Sequence, residues 1–126
     1  IDLVVIPNNP SALRDRVLRN STVIQDGALN LLVRLKNGFQ LDIFIAHAGK
    51  RDLLEEIPSN YGSLLLCRTG SKEHNVKLAQ RARSLGLQWK IYEGIVRAGA
   101  AVIACATEEE IFAALQMDYI PPEKRI

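Results

Sequence analysis

The dipeptide Asn37-Gly38 constrains the fold of this chain more than any other sequence feature. It lies within the segment LLVRLKNGFQLDIFIAH at 31–47, where apolar residues alternate with polar ones on both sides. Asn-Gly is favoured in the two-residue turns of β-hairpins because both positions there have positive φ angles. The flanking segments are therefore expected to be strands that pair antiparallel in a fixed register.

The residues before this hairpin predict a strand, a helix and a second strand. The run IDLVVIP at 1–7 is rich in β-branched residues and predicts a strand buried on both faces, and TVIQ at 22–25 predicts a short strand. Asn9 is a suitable N-cap and Pro10 suits the first helical position, so a helix is expected over 10–19. Its buried residues are expected to be Leu13, Val17 and Leu18. A strand followed by a helix favours an arrangement that mixes both element types.

After the hairpin the pattern becomes mainly helical. The polar stretch 48–60 is expected to be a loop with a short helical turn that separates a first lobe from a second. Helices are expected over 60–68, 71–85 and 108–116. Thr107 and Glu110 form a capping box for the last of them, and three short strands divided by Gly94 and Gly99 are expected before it. The buried side of the 71–85 helix is expected to comprise Val76, Leu78, Ala79, Ala82 and Leu85.

Length and composition limit the possible classes of protein. The chain has 126 residues, of which 48% are hydrophobic and 24% charged, and this suits one compact unit or two small lobes. It has no run of eighteen apolar residues and no basic segment typical of a signal peptide, so no membrane association and no export are expected. Cys67 and Cys105 lie in apolar surroundings without metal-binding spacing, which indicates buried thiols in the cytoplasm.

Positive charge is concentrated in one part of the sequence. The net charge is +2 overall, but residues 66–97 carry +5 and the remainder carries −3. Such a segment suits a polyanion, although a solvated helix face is the commoner cause of a basic run.

Two aspartates lie in otherwise apolar strands. Asp2 precedes LVVI, and Asp42 lies within QLDIFI. A lone charge is costly to bury, so each side chain should reach a sheet edge or meet a cation. Carboxylates from neighbouring strands are hard oxygen ligands that suit Mg²⁺ in phosphoryl or nucleotidyl transfer, whereas the alternative is a solvated aspartate at an edge.

The turn Thr69-Gly70-Ser71 precedes the basic helix. Ser71 can be an ordinary N-cap and Gly70 the bend before it, or the exposed amides of this helix start and Lys72 can bind a phosphate. His47 is expected to be a loop imidazole or an extra polar group near Asp42, and His74 is expected to lie at the surface. The sequence has no GxSxG, HExxH, Walker or GxGxxG motif, so it offers no support for the corresponding enzyme classes.

Taken in order, the segments IDLVV, QLDIF, TGSKEHNVKLAQRARSLGL, KIYEGI and ATEEEIFAALQMDYIPPEKRI resemble the family X DNA polymerases, the DNA polymerase beta-like group, and most of all its bacterial branch. The resemblance implies an α+β fold, with a partial nucleotidyltransferase palm sheet at 1–58 and a small α/β thumb at 59–126. It also implies a DNA repair enzyme of the bacterial cytoplasm, associated with the nucleoid.

The resemblance assigns roles to particular residues. Asp2 resembles the second aspartate of the family's DxD strand, and Asp42 resembles the third catalytic aspartate, which activates the primer 3′-hydroxyl. Both would be catalytic and would ligate two Mg²⁺ ions, for which Mn²⁺ can substitute. The first aspartate of DxD would stand just before Ile1, in a protein that also carries fingers and a lyase domain, so the chain by itself is expected to be inactive.

The resemblance also implies the partners of the thumb. Gly70, Ser71 and Asn75 match positions that hold the incoming deoxynucleoside triphosphate, with Asn75 near the minor-groove edge of its base. The basic helix that follows the turn would bind gapped or primer-template DNA. The DNA-binding residues are expected to be Lys72, Lys77 and Arg81.

The chain also departs from the family pattern. Cys67-Arg68 replaces a Tyr-Phe pair before Thr-Gly, Ala79 replaces an arginine, and Gln40 replaces an arginine that often supports the third aspartate. These departures leave a second hypothesis open, a non-catalytic module of the same origin that binds DNA or a protein. Nucleotidyl transfer to RNA or to a small molecule is a third.

Overall fold

The computed structural model describes residues 1–98 and 101–126, and the chain divides into two compact units, Ile1–His47 and Ala48–Ile126. Both combine helices with small sheets, which confirms the predicted α+β class. The predicted palm and thumb meet after residue 58, inside the second unit, and that assignment stays a prediction. No helix within the described ranges has the length and apolar character needed to span a membrane.

The first unit is a four-stranded sheet with one helix. Its elements are β1 (Asp2–Val5), α1 (Pro10–Arg19), β2 (Ser21–Asp26), β3 (Asn30–Leu35) and β4 (Gln40–Ile45). The strand order is β1-β4-β3-β2, and β1 pairs parallel with β4, whereas the other pairs are antiparallel.

Two local predictions are confirmed in this unit. The hairpin predicted from Asn37-Gly38 joins β3 to β4: Leu35 N donates to Phe39 O at 2.8 Å. The loop has three residues, 36–38, and not two, and of these only Gly38 has a positive φ, at +90°. Asn9 caps α1, because its side-chain oxygen accepts a hydrogen bond from Ala12 N at 3.1 Å.

The core of the first unit lies on one face of the sheet. It comprises Leu31, Ile43 and Ile45, against which Val17 of α1 packs. The expectation that the first strand is buried on both faces is wrong: Asp2 is exposed, and β1 lies at the edge of the sheet with β4 as its neighbour. An edge strand pairs on one side, so a β-branched run does not by itself require burial.

The second unit contains three helices, a hairpin and a three-stranded sheet. Its elements are β5 (Gly49–Arg51), β6 (Glu56–Pro58), α2 (Tyr61–Thr69), α3 (Lys72–Ser84), β7 (Leu87–Lys90), β8 (Gly94–Arg97), β9 (Ala101–Ala104), α4 (Glu108–Ala114) and a 3₁₀ turn at Pro122–Lys124. The order β7-β8-β9 is antiparallel throughout. Gly94, predicted to divide two strands, is the first residue of β8 and follows the turn at 91–93, while Gly99, the other predicted divider, lies outside the described residues.

The expected loop at 48–60 is in fact a β-hairpin. β5 pairs with β6 through Lys50 and Ile57, and Asp52 closes the turn by accepting hydrogen bonds from Leu54 N and Glu55 N, each at 2.9 Å. This hairpin was not predicted because its turn is closed by an aspartate side chain and contains no Asn-Gly dipeptide.

The buried face of α3 differs from the predicted one. Val76 is 48% exposed, whereas His74 is 4% exposed and lies in the same stripe as Leu78 and Ala82. The predictions for Val76 and His74 are therefore wrong, because positions 74, 78 and 82 follow the helical period and a histidine can occupy an apolar face. The Thr107 capping box is confirmed: Thr107 Oγ1 accepts from Glu110 N at 3.1 Å, and Glu110 Oε2 accepts from Ala106 N at 3.3 Å.

Candidate functional site

Two carboxylates lie side by side in the first unit. Asp2 of β1 is the register partner of Asp42 of β4. Paired residues of parallel strands project from the same side of the sheet, and Asp42 alternates with Leu41 and Ile43, which face the core. The pair Asp2 and Asp42 therefore lies on the face opposite α1. We call these two residues the carboxylate pair.

Asn30 of β3 forms a hydrogen bond with Asp42 of the carboxylate pair. Asn30 was not identified as a site residue from the sequence. Its side-chain Nδ2 donates hydrogen bonds to Asp42 Oδ1 and, at 3.2 Å, to Ile43 O. No sequence pattern indicates this contact, because it depends on the register of β3 against β4, in which Asn30 lies opposite Phe44.

The chemistry of the carboxylate pair suits a hard divalent cation. Carboxylate oxygens are the ligands that Mg²⁺ and Mn²⁺ prefer, and substrate oxygens and water complete such sites. Within residues 1–98 and 101–126 there is no group of three or more His, Cys, Asp or Glu side chains arranged to hold a metal. Asp2 and Asp42 fit a shared ion as donors, and metal binding by them stays a prediction.

The predicted nucleotide-binding residues lie where α2 meets α3 in the second unit. α2 ends before Gly70, which has φ +73°, and the Gly70–Ser71 peptide bond is cis. Ser71 caps α3, since its Oγ accepts from His74 N at 3.2 Å. Asn75 Nδ2 donates to Cys67 O at 2.8 Å, and its buried Oδ1 has no hydrogen-bond partner among the described residues. Ser71 therefore acts as an ordinary N-cap of α3, and binding of a nucleotide at Gly70, Ser71 and Asn75 stays a prediction.

The three predicted DNA-binding residues have different surroundings. Lys72 and Lys77 are exposed on α3. Arg81 instead donates from Nε to Leu115 O at 2.9 Å and from Nη2 to Gln116 O at 3.5 Å. Leu115 and Gln116 follow α4, so the guanidinium of Arg81 satisfies carbonyls at the end of that helix.

A groove with a basic lining runs between α3 and the three-stranded sheet. Its volume is about 1080 Å³. We call it the basic groove, because its lining carries three basic side chains and one acidic one; the lining includes Ala79, Arg83, Gln88, Trp89, Lys90, Glu93 and Arg97. Lys90 Nζ lies 3.7 Å from Glu93 Oε2, whereas Arg83 and Arg97 form no ion pair within the described residues. Two such guanidinium groups in one groove suit the phosphates of a nucleic acid strand.

A buried polar cluster lies on the other side of α3. Arg125 Nη1 and Nη2 donate to Glu108 Oε2 at 2.8 Å and Oε1 at 3.3 Å, and the guanidinium lies 5.4 Å from the centre of the Phe112 ring. His74 lies 6.0 Å from that ring, and both of its ring nitrogens are buried without a hydrogen-bond partner among the described residues. Burial lowers the pKa of His74, and the charges of Arg125 and Lys77 lower it further. This cluster is structural, because its polar groups are enclosed within the fold.

Comparison with protein families agrees with the architecture of the second unit. A family model, the DNA polymerase beta thumb, matches residues 64–126, which is half of the chain. A comparison with curated proteins found no match. The matched half is a polymerase thumb, a class of domain that binds DNA. The chain belongs to the family X DNA polymerases, whose members generally use divalent metal ions.

Proposed function

We propose that this chain forms the palm and thumb of a DNA-directed nucleotidyltransferase that adds deoxynucleotides to a primer 3′-hydroxyl in short gaps during DNA repair. One observation carries the proposal: Asp2 and Asp42 are register partners on adjacent strands of a chain that continues into a polymerase thumb. Two carboxylates on one face of a sheet are suited to nucleotidyl transfer, in which divalent ions stabilise both the attacking and the leaving oxygen.

The two aspartates have different roles in this proposal. Asp42 takes the proton of the primer 3′-hydroxyl or at least orients that hydroxyl, since a general base must lie within hydrogen-bond reach of the group it activates. Both aspartates would ligate Mg²⁺, with Asp2 contributing to both metal sites, and Mn²⁺ could replace Mg²⁺ because both prefer oxygen ligands. The incoming deoxynucleoside triphosphate would lie against Gly70 and Ser71, and the side chain of Asn75 would turn from Cys67 O towards the base edge.

We further propose that the basic groove binds the DNA together with Lys72 and Lys77. Arg83 and Arg97 have guanidinium groups without ion-pair partners in the described part of the chain, and they line the same groove as Lys90. Arg81, by contrast, is held by backbone carbonyls, so its contribution to DNA binding should be smaller than its contribution to stability.

Salt dependence of DNA binding tests this assignment. Affinity for a gapped duplex would be measured by fluorescence anisotropy between about 50 and 200 mM NaCl, the interval over which phosphate contacts have large effects. Removal of one phosphate-binding cation should reduce the log–log slope by about 0.9, so Arg83→Ala with Arg97→Ala should reduce it by about 1.8. Lys72→Ala with Lys77→Ala tests the other pair, and Arg81→Ala is the matched control. A slope unchanged in both double variants would contradict a DNA-binding role for these residues.

The aspartate roles are tested in a polymerase that contains this chain together with the predicted upstream aspartate. Asp42→Asn should reduce primer extension by about 10²- to 10⁴-fold, the usual contribution of a general base, and leave nucleotide affinity nearly unchanged. Asp2→Asn should reduce both turnover and nucleotide affinity. Equal effects of the two substitutions on nucleotide affinity would contradict the division of roles.

A second candidate function is a non-catalytic DNA-binding module. It is favoured by Ala79, which lies in the lining of the basic groove where the family usually carries an arginine, and by Cys67-Arg68 at the position of the usual aromatic pair. DNA binding with a normal salt slope, but without metal-dependent incorporation, would favour this candidate over the enzyme.

A further inference from the structure

The side-chain amide of Asn30 has two acceptors that belong to neighbouring residues of β4. One hydrogen bond reaches the Asp42 carboxylate at Oδ1 and the other reaches the carbonyl oxygen of Ile43. An amide nitrogen has two hydrogens, so both are used. The carboxylate of Asp42 is thereby fixed relative to the backbone of its own strand.

We infer that Asn30 is a positioning residue, which orients the carboxylate of Asp42 for a divalent cation. The inference rests on the metal-binding role proposed above for Asp42. The amide occupies Oδ1 and leaves Oδ2 available to a cation. Ligating carboxylates in metal sites are themselves hydrogen-bonded, and such bonds fix ligand orientation and strengthen metal affinity.

Asn30 lies at a position from which its side chain can orient the carboxylate of Asp42. Leu32 of β3 is the register partner of Asp42, and Asn30 lies two residues before it, on the same face of the sheet as the carboxylate pair. Arg34 also lies on that face, opposite Gln40, but no hydrogen bond or ion pair joins Arg34 or Gln40 to Asp42 in the described structure. Asn30 is thus the side chain that holds Asp42.

A purely structural role for Asn30 predicts different behaviour. If the amide served only to join β3 to β4, the bond to Ile43 O would matter and the bond to Asp42 would not. Asn20 provides a matched comparison in the same unit, because its Nδ2 donates to the backbone carbonyl of Arg16 at 2.7 Å and contacts no carboxylate among the described residues. Loss of the amide at Asn20 should affect stability without affecting a metal ion.

The test measures Mn²⁺ binding directly, by NMR of the 126-residue chain. Paramagnetic broadening of the backbone amide signals of Asp2 and Asp42 is followed as Mn²⁺ is added. Asn30→Leu keeps the approximate shape of the side chain but removes the donor, and it should raise the Mn²⁺ concentration at half-maximal broadening about 10- to 100-fold. Asn20→Leu should leave that concentration unchanged.

A second measurement needs no variant of Asn30. The side-chain NH₂ signals of Asn30 should move when Asp42 is replaced in Asp42→Asn, and they should not move in Asp15→Asn, which alters an exposed carboxylate of α1. Unmoved Asn30 signals in Asp42→Asn would overturn the inference even if Asn30→Leu failed to fold.

The outcomes separate the inference from the function on which it rests. Saturable broadening that is abolished in Asp42→Asn but unchanged in Asn30→Leu would overturn the positioning role alone. Absence of saturable broadening in the unmodified chain would overturn binding of a divalent ion by the carboxylate pair of this chain, and the positioning role with it.

Discussion

The two units of this molecule are stabilised in different ways. In the first unit the buried apolar cluster comprises Leu31, Ile43 and Ile45, and residues such as Ile24 and Phe39 remain exposed. The cluster of the second unit is larger and comprises Leu66, Leu78, Ala82, Ile95, Ala104, Ile111, Phe112 and Leu115. Because hydrophobic stabilisation scales with buried apolar area, the second unit should be the more stable of the two.

This difference has a functional meaning. The carboxylate pair lies in the unit with the smaller core, where strand register and the hydrogen bonds of Asn30 determine its geometry. The basic groove lies in the unit with the larger core, where the packing of α3 and of the three-stranded sheet determines the positions of the basic side chains. The proposed chemistry thus depends on hydrogen bonding, and the proposed DNA binding depends on packing.

The largest expected effect is in the second unit, at its buried ion pair. Glu108→Ala leaves the fully buried guanidinium of Arg125 without its carboxylate, and removal of one partner of such a pair costs about 3–5 kcal/mol. Urea unfolding followed by circular dichroism measures the loss. Glu109→Ala is the control, because Glu109 is exposed and should change stability by less than about 0.5 kcal/mol. A loss below about 1 kcal/mol for Glu108→Ala, far under the range for a buried pair, would show that stability does not depend on this pair.

A smaller effect is expected in the core of the first unit. Leu31→Ala removes a fully buried side chain from β3 and should cost about 2–3 kcal/mol, the lower part of the range for such substitutions, because few buried neighbours surround it. Amide hydrogen exchange should accelerate in β3 and β4. The matched variant Leu78→Ala, in the second unit, should cost more. Equal costs for Leu31 and Leu78 would contradict the contrast between the two cores.

The smallest expected effect is a pH dependence of the second unit. The pKa of His74 in the folded chain lies below its ordinary value, so the unfolded state binds the proton more readily. Stability should therefore be constant above pH about 6.5 and decrease as the pH falls below that value. Urea midpoints measured between about pH 8 and pH 5, on either side of that value, test this, and His74→Leu should remove the decrease. A decrease that persists in His74→Leu would assign the pH dependence to other groups.

Local patterns predicted much of the fold. The Asn37-Gly38 hairpin and the caps at Asn9, Ser71 and Thr107 were all recognisable, because each depends on residues within a few positions of one another. The α3 helix was predicted at nearly its observed length, since its boundaries depend on the same local chemistry.

Features that depend on distant residues were not predictable. The turn of the β5–β6 hairpin is closed by Asp52, whose side chain could equally have capped a helix. His74 is buried because Phe112, far along the chain on α4, packs against it, and the bonds of Arg81 to Leu115 span a similar distance in sequence. Within the candidate site, the resemblance indicated Asp2 and Asp42, but the contact of Asn30 required the actual strand register.

Trp89 gives the basic groove an intrinsic optical signal. It is the single tryptophan of the chain and is one of the residues that line the groove. Its side chain packs against the core, and its indole Nε1 donates to Ser63 Oγ at 2.9 Å. Ser63 in turn donates to Ile91 O at 2.6 Å, so α2 fixes the environment of the fluorophore. Quenching of the intrinsic emission by an oligonucleotide would therefore report occupancy of this groove without any attached dye, and separation of α2 from β7 would shift the emission to longer wavelength.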